Sequence, residues 1–233
     1  MTAPAPKWTP PEPEKKSAAT NRLARTVWEK NQIATWAYRG FVAIGTRLAK
    51  LGVSANGLTY SSLLLGVVAF GFAARGQFWF AAASVFAGGV LDALDGIVAR
   101  TTNTVSRYGA LLDSTVDRVT DALPLLGVLL FYGSSVPLSI ITALALVGSI
   151  VIPYARARAE ALGAKLPTLF MRRPERVVLL VACFLLGEID LGLGFPAPLL
   201  ALGVFVLAVL SSVGAVSVLR AARRSLAAGA GPE

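Results

Sequence analysis

Four aspartates lie close together in two strongly apolar segments of the chain. Asp92 and Asp95 are three residues apart, and Asp113 and Asp117 are four apart. On helices, these spacings place each pair on one face, one turn above its partner. A carboxylate at membrane depth costs about 2.5–3.5 kcal/mol on insertion scales, so four of them need neutralising partners. Few cationic side chains lie nearby in the sequence. An oxygen-only ligand set without His or Cys favours Mg²⁺, Mn²⁺ or Ca²⁺ over zinc.

The acids belong to a longer pattern, which reads D-x-x-D-G-x-x-A-R, eight residues, and then G-x-x-x-D-x-x-x-D. This pattern resembles the signature of the CDP-alcohol phosphotransferase family at every fixed position. The resemblance implies a membrane enzyme that transfers a phosphate-linked group from a CDP-activated donor to an alcohol and releases CMP. It also implies that all four aspartates bind metal and that Asp117 is the general base. We expect two divalent ions, Mg²⁺ or Mn²⁺, between the two helices.

Glycine and arginine interleave with the acids in a way that suits a nucleotide. Gly96 lies one turn after Asp92 and removes a side chain where a nucleotide can approach the helix backbone. Arg100 continues the same face and can bind phosphate oxygens through two parallel hydrogen bonds. Gly109 opens the second apolar segment on the face of Asp113 and leaves similar room. Small residues at both glycine positions also suit plain helix packing, so that alternative stays open.

The family resemblance implies a fuller donor-binding set. Relatives contact the nucleotide through an N-x-x-T step at the start of the first span, which Asn56 and Thr59 match here. A plain helix N-cap explains these two residues nearly as well. Ser106 occupies a position that often helps to hold the donor. By this resemblance the donor-binding residues are Asn56, Thr59, Asp92, Gly96, Arg100, Ser106, Gly109 and Asp113.

Five arginines lie at the ends of later apolar segments: Arg156, Arg158, Arg173, Arg176 and Arg220. One interpretation is that they satisfy the positive-inside rule and extend to lipid headgroups. The other is a pocket for a phosphate monoester, in which Glu160 and Glu175 orient neighbouring guanidinium groups. The pocket favours an acceptor that carries its own phosphate. Asp121 extends the face of the second aspartate pair, or simply pairs with Arg118.

The runs Y-x-R-A-R-A-E and R-P-E-R resemble a bacterial and archaeal branch of the family that uses inositol phosphate as acceptor. By this resemblance the five arginines bind the acceptor phosphate. The implied reaction transfers the phosphatidyl group of CDP-diacylglycerol to the hydroxyl of inositol phosphate, giving phosphatidylinositol phosphate and CMP. Glycerol-3-phosphate also carries a phosphate, so a phosphatidylglycerophosphate synthase is the nearest rival. Its branch has D-P-x-x-D-K where this chain has D-S-T-V-D-R. A cation transporter with an acid-lined pore is the alternative from another class.

Composition indicates an integral membrane protein. The 233-residue chain is 55% hydrophobic and 15% charged, with a mean hydropathy of +0.65, outside the range of ordinary soluble domains. The net charge of +9 suits anionic lipid headgroups and phosphate-bearing substrates, and the long apolar runs argue against a nucleic-acid partner. Six segments are each near the length needed to cross a bilayer: 57–74, 78–100, 108–132, 136–157, 175–192 and 196–219.

The predicted fold is therefore all-α, with six transmembrane helices preceded by an amphipathic juxtamembrane helix. Residues 21–50 alternate basic and apolar residues at helical spacing and predict that interfacial helix. We assign residues 1–20 to a disordered cytoplasmic tail, because they are rich in Pro, Lys and Glu. Residues 51–224 form the CDP-alcohol phosphotransferase domain, and residues 225–233 a flexible C-terminal tail.

Charge asymmetry predicts the orientation. Basic residues gather at one set of helix ends, whereas the opposite ends carry Arg75 together with Glu188 and Asp190. By the positive-inside rule, the amino terminus and the acidic cluster face the cytoplasm in the cytoplasmic (inner) membrane. The family resemblance also implies a homodimer, for which the Gly88–Gly89 pair permits close helix contacts.

Overall fold

The computed structural model of the chain describes residues 32–168, 170–193 and 197–229. Every regular element among them is an α-helix, which confirms the predicted all-α class. The helices are α1 (Gln32–Lys50), α2 (Ala55–Ala74), α3 (Phe78–Thr101), α4 (Arg107–Phe131), α5 (Val136–Ala161), α6 (Arg173–Gly192) and α7 (Pro198–Gly229).

The helices after α1 coincide with the segments that the sequence predicts to cross the membrane. Among the described helices, α2, α3, α5 and α7 are long and apolar enough to do so by length and composition. Helices α4 and α6 occupy the remaining two predicted positions, and both carry several charged side chains. The structure thus shows a multi-pass helical bundle whose two most polar helices lie next to the acidic and basic clusters.

Successive helices run in opposite directions, so that charged groups from distant parts of the sequence meet at one end. Asn56 at the start of α2, Arg100 at the end of α3 and Gly109 at the start of α4 line one cavity. At the other end of the bundle, the N–H of Trp79 in α3 donates to Glu188 Oε2 of α6 at 3.0 Å. We call these the charged end and the opposite end.

Carboxylates at the opposite end serve the fold. Asp190 is buried, and its Oδ2 accepts the N–H of Leu199 in the first turn of α7 at 2.6 Å. Glu188 does the same for the first turn of α3. Negative charge near a helix N-terminus is stabilising, since the first backbone N–H groups lack partners within the helix. Both acids are thus explained without a role in chemistry.

Small residues let the spans approach closely, as is common between membrane helices. A Cβ atom added at Gly127 of α4 would lie 2.6 Å from the carbonyl oxygen of Phe70 in α2. One added at Gly148 of α5 would lie 2.6 Å from Ser211 Cβ of α7. Gly88 and Gly89 face α2 and α6 of the same chain, because their nearest neighbours are Ser62 and Val177. The proposed role of this pair in a dimer is therefore unsupported.

The described residues test the predicted chain layout only in part. The predicted tail, residues 1–20, and the first part of the amphipathic stretch, residues 21–31, lie outside them. Helix α1 falls within the predicted stretch and packs on α3, where a Cβ added at Gly45 would lie 2.6 Å from Ile97 Cγ2. Helix α7 continues to Gly229 and includes residues 225–229, which we had assigned to the C-terminal tail.

Candidate active site

Two serines fix the helix ends that frame the site. The Ser54 hydroxyl accepts the N–H of Gly57 at 3.1 Å and caps α2. The Ser106 hydroxyl accepts the N–H of Gly109 at 2.9 Å and caps α4. Ser54 is thus the N-cap residue of α2, which removes the N-cap explanation for Asn56 and Thr59. For Ser106, capping is a structural role in addition to the donor contact expected from sequence.

A cavity of about 210 Å³ opens between α2, α3 and α4 at the charged end. It gathers seven of the eight predicted donor-binding residues, with Asp92 just outside the lining. We call it the aspartate cavity, and its lining is Ala55, Asn56, Thr59, Asp95, Gly96, Ala99, Arg100, Thr104, Val105, Ser106, Gly109, Ala110 and Asp113.

Three of the four predicted metal ligands converge beside this cavity. Asp92, Asp95 and Asp113 each offer a carboxylate oxygen, and these oxygens lie within 4.8 Å of one another. Asp95 is buried and accepts a hydrogen bond from the Thr59 hydroxyl at 2.7 Å. Asp92 Oδ1 is buried and has no hydrogen-bond partner in the part of the chain that the structure describes. A partnerless buried oxygen in an all-oxygen set fits a hard divalent cation.

The two glycines of the pattern face this cavity. A Cβ atom at Gly96 would meet Arg100 Nη1 at 3.3 Å, and one at Gly109 would meet Ser106 Oγ at 3.1 Å. These neighbours are polar side chains of the cavity rim. The packing glycine Gly127, in contrast, lies against the backbone of another helix. The comparison favours room for a ligand over helix packing at Gly96 and Gly109.

Asp117 is not one of the three carboxylates that converge within 4.8 Å, and it pairs with a basic residue. Its Oδ1 lies 2.8 Å from Arg173 Nη1, and the same nitrogen also contacts Asp92 Oδ2. The Arg173 guanidinium further reaches Asp121 Oδ1 through Nε at 3.3 Å and the Thr120 hydroxyl through Nη2 at 3.1 Å. Arg173 therefore links the acids of α3 and α4 to the start of α6.

Beyond Arg173 lies a second cavity, of about 160 Å³, which we call the arginine cavity. It combines residues of α4, α5 and α7 with the segment that leads into α6. Its lining is Asp117, Arg118, Asp121, Ile152, Pro153, Arg156, Phe170, Met171, Arg172, Arg173, Arg176 and Val218.

The structure brings three of the five predicted phosphate-binding arginines to this cavity, Arg156, Arg173 and Arg176, and leaves two outside it. Arg158 and Arg220 are exposed and do not line it. The reason is helix geometry. Arg158 follows Arg156 by two positions, and Arg220 follows the lining residue Val218 by two, so each points about 200° away around its helix.

Acidic partners orient the arginines of the cavity. Arg156 Nε pairs with Glu160 at 3.0 Å, and Arg172 Nε pairs with Glu175 at 3.3 Å, which confirms that these glutamates orient guanidinium groups. Asp121 contacts Arg173 and Arg176. The expected pair of Asp121 with Arg118 is wrong, because Arg118 turns back along its own helix and donates to the Ser114 carbonyl.

Arg172 and Met171 are among the lining residues that the sequence prediction left out of the phosphate site. Arg172 directly precedes a predicted ligand, so the repeated arginine was a usable signal. Met171 adopts a left-handed backbone conformation with φ of 61°, which costs a non-glycine residue about 1–3 kcal/mol. In this conformation its carbonyl accepts a hydrogen bond from Arg176 Nη1 at 2.9 Å. No feature of the sequence indicates that bend.

Comparison with known proteins agrees with the geometry. The family model described as CDP-alcohol phosphatidyltransferase matches residues 52–214. An archaetidylinositol phosphate synthase from Pyrococcus horikoshii is 38% identical over 151 residues, which are 64% of this chain and 78% of the relative.

Two crystal structures of phosphatidylinositol phosphate synthase from Mycobacterium tuberculosis share the fold. The structure with CDP-DAG bound has a TM-score of 0.69 at 31% identity. The match covers 79% of this chain and 94% of the chain in that structure. The structure in complex with manganese and citrate has a TM-score of 0.71 at 30% identity. The match covers 79% of this chain and 90% of the chain in that structure.

The helical bundle and its acid cluster define a multi-pass membrane enzyme of phospholipid synthesis. The chain belongs to the CDP-alcohol phosphatidyltransferase family and is a CDP-alcohol phosphotransferase. The alternative of a cation transporter is therefore set aside.

Proposed function

We propose that the enzyme transfers the phosphatidyl group of CDP-diacylglycerol to a hydroxyl of inositol phosphate, giving phosphatidylinositol phosphate and CMP. The observation that carries the proposal is the arginine cavity, where Arg156, Arg173 and Arg176 lie beside Asp117. The relatives named above make phosphatidylinositol phosphate or its archaetidyl counterpart. Their names support the acceptor, and the arginines supply a physical reason for it.

The aspartate cavity is suited to the CDP part of the donor. Arg100 lies at its rim and can bind phosphate oxygens through two hydrogen bonds. Asn56 offers an amide that can donate to and accept from a nucleotide base. Gly96 and Gly109 leave the space in which a nucleotide can lie against the helices. Thr59 and Ser106 complete the polar lining.

The converging oxygens of Asp92, Asp95 and Asp113 would hold divalent metal, Mg²⁺ or Mn²⁺, and we infer two ions with Asp117 as a further ligand. Bound metal would neutralise the pyrophosphate of the donor and make CMP a better leaving group. The manganese in a homologous structure supports a divalent ion in this fold. Within the chain, Thr59 orients Asp95, and Arg173 holds one oxygen of Asp92.

We infer that Asp117 is the general base. It lines the arginine cavity, where the acceptor would bind, and stands one helical turn from Asp113 at the metal cluster. The acceptor hydroxyl would transfer its proton to the Asp117 carboxylate as its oxygen forms a bond to the phosphorus of the phosphatidyl group. The bond from that phosphorus to CMP then breaks. Arg173, at 2.8 Å, fixes the Asp117 carboxylate next to the acceptor.

The arginine cavity favours an acceptor that carries a phosphate. Its guanidinium groups offer the planar, paired donors that match phosphate oxygens. The start of α6 lines the same cavity, and a helix N-terminus favours anions. Free inositol or an uncharged alcohol would offer these guanidinium groups no phosphate oxygens to bind. Glycerol-3-phosphate satisfies the same charge pattern, so it is the rival acceptor that an experiment must separate.

The membrane arrangement and assembly follow from the same reasoning. The charged end carries both cavities and most of the basic residues at helix ends. We therefore infer that it lies on the cytoplasmic side of the inner membrane. Soluble inositol phosphate would then reach Asp117 from the cytoplasm. We further infer a homodimer from the family resemblance.

An acceptor panel tests the proposal. Purified protein in detergent with CDP-diacylglycerol and Mn²⁺ is given inositol phosphate, free inositol, glycerol-3-phosphate or serine. CMP release should be fastest with inositol phosphate, and the lipid product should be phosphatidylinositol phosphate. Preference for glycerol-3-phosphate would reassign the enzyme to the rival branch. Preference for free inositol would contradict the proposal that the arginine cavity binds the phosphate of the acceptor.

A further inference from the structure

Asp121 of α4 is an acid in a cavity that is otherwise suited to anions. It lies one turn beyond Asp117, outside the family pattern, and its side chain is 8% exposed. It is not part of the group of carboxylates that converge on the metal site. A carboxylate here lowers the positive charge offered to a phosphate, so attraction of the ligand does not explain it. Asp121 must therefore act through the positions in which it holds the neighbouring arginine side chains.

Each oxygen of Asp121 holds a different arginine. Oδ1 lies 3.3 Å from Arg173 Nε, and Oδ2 lies 2.5 Å from Arg176 Nη2. The two arginines are three positions apart at the start of α6, so one carboxylate ties both to α4. Charge-assisted hydrogen bonds of this kind are short and roughly twice as strong as neutral ones. The pair of guanidinium groups is therefore fixed as a unit.

Additional contacts complete the fixation. Arg173 Nη2 donates to the Thr120 hydroxyl at 3.1 Å, and Arg176 Nη1 donates to the Met171 carbonyl at 2.9 Å. The Arg176 side chain is 7% exposed, yet its Nε has no hydrogen-bond partner within the described residues. A buried guanidinium donor without a partner is costly unless a ligand can satisfy it. Arg176 also lines the arginine cavity.

We propose that Asp121 is a positioning residue that presents Arg173 and Arg176 together to the acceptor phosphate and so sets the preference for a phosphorylated acceptor. This inference rests on the proposed function of the arginine cavity. Arg173 also contacts Asp92 and Asp117, so without Asp121 these two acids alone would hold it, and it would no longer be tied to Arg176. Arg176 would lose the contact that joins it to α4.

The test is the acceptor kinetics of Asp121→Asn in the full-length protein. With inositol phosphate, KM for the acceptor should rise about ten- to a hundredfold, the range expected for lost charge-assisted contacts. KM for CDP-diacylglycerol should stay within about threefold of the original value, because the donor contacts lie in the other cavity. An effect on kcat alone, or an equal rise of both KM values, would overturn the positioning role.

Asp190→Asn is the matched control, because it makes the same exchange at a buried acid at the far end of α6. It should lower the melting temperature and leave the acceptor KM unchanged. Asp121→Glu keeps the charge one methylene further out, so its acceptor KM should lie between those of the original protein and Asp121→Asn. If Asp121→Asn fails to fold, an unchanged KM in Asp121→Glu contradicts the inference.

The acceptor panel separates this inference from the proposed function. If the original protein prefers glycerol-3-phosphate, the proposed acceptor is wrong. A raised KM of Asp121→Asn for glycerol-3-phosphate would still support the positioning role. If the original protein uses only unphosphorylated acceptors, both the proposed function and the role of Asp121 fail.

Discussion

The two cavities at the charged end differ in how the charges of their side chains are compensated. Beside the aspartate cavity, three carboxylates lie within 4.8 Å, and Asp92 keeps a buried oxygen without a hydrogen-bond partner among the described residues. In the arginine cavity, Asp121 pairs with Arg173 and Arg176. The first region needs added positive charge, whereas the second holds cationic donors that its own acids already fix. Under the proposed function, neighbouring regions would thus divide the binding of cations from the binding of anions.

The two regions are connected at their boundary by Arg173 through its ion pairs with acids of both. Arg173 contacts Asp117 at 2.8 Å and also reaches Asp92, so it belongs to both. Asp117 and Asp121 line the arginine cavity, whereas Asp95 and Asp113 line the aspartate cavity. In the proposed reaction, the acceptor hydroxyl would meet the activated donor at this boundary. The division therefore predicts that substitutions on either side affect different substrates.

The largest effect is expected at the acid cluster. Asp92→Asn or Asp113→Asn removes a charge that the metal site requires, so the rate should fall by at least about a thousandfold. CMP release measures the rate, and size-exclusion chromatography in detergent shows that the protein remains folded. Activity within tenfold of the original in both variants would contradict the proposed difference between the two regions, because the acids beside the aspartate cavity would then not be required.

On the other side of the boundary, Arg176→Ala should act on the acceptor. Loss of a charge-assisted contact to phosphate costs about 1.5–3 kcal/mol, so kcat/KM for the acceptor should fall about ten- to a hundredfold. Arg176→Lys should recover only part of this loss, because a point charge cannot reproduce a two-pronged contact. Donor KM should be unchanged. Full recovery by lysine would indicate that the residue serves only as a positive charge at the membrane.

A smaller effect is expected at Thr59, which supports the acid cluster without being a ligand. Thr59→Val removes the hydroxyl that donates to Asp95 at 2.7 Å. Partners of metal ligands typically contribute ten- to a hundredfold in affinity, so Mn²⁺ should bind about tenfold more weakly. Calorimetric titration with Mn²⁺ measures this directly. Thr142→Val, at a buried threonine whose hydroxyl donates to the Leu138 carbonyl, is the control and should leave Mn²⁺ affinity unchanged.

The smallest effect is expected at the two arginines that the structure leaves outside the cavity. Arg158→Ala and Arg220→Ala should change acceptor kcat/KM by less than about threefold, the scale of exposed charges. Their yield in membranes should fall if they help to orient the helices, and lysine should replace them freely. A tenfold loss in acceptor kcat/KM for either variant would show that the phosphate site extends beyond the arginine cavity.

The pairing of the four aspartates could be predicted from the sequence because each pair is local, whereas the other residues of the aspartate cavity were predicted from the family resemblance. Asp92 and Asp95, and likewise Asp113 and Asp117, lie within a helical turn of each other, so periodicity alone places each pair. The same periodicity should have excluded Arg158 from the face of Arg156. The prediction grouped the five arginines by the family resemblance and by their position at helix ends, and helix geometry separates them.

The arginine cavity was harder to predict because its contacts join distant parts of the chain. Asp121 meets Arg173 and Arg176 across 52 and 55 residues. No spacing rule indicates which helices will be neighbours. The bend at Met171 is likewise set by the surrounding structure, since methionine has no preference for a left-handed backbone. Sequence identified the arginines, and the fold selected three of them.

The central claim is that the acid cluster uses divalent metal to move the phosphatidyl group onto a phosphorylated acceptor. The most direct test incubates purified protein with CDP-diacylglycerol and inositol phosphate, and quantifies CMP and the lipid product together by mass spectrometry. With Mn²⁺, the account predicts equal amounts of CMP and phosphatidylinositol phosphate, and neither product in excess chelator. Equal production in chelator, or CMP without the matching lipid, would contradict it.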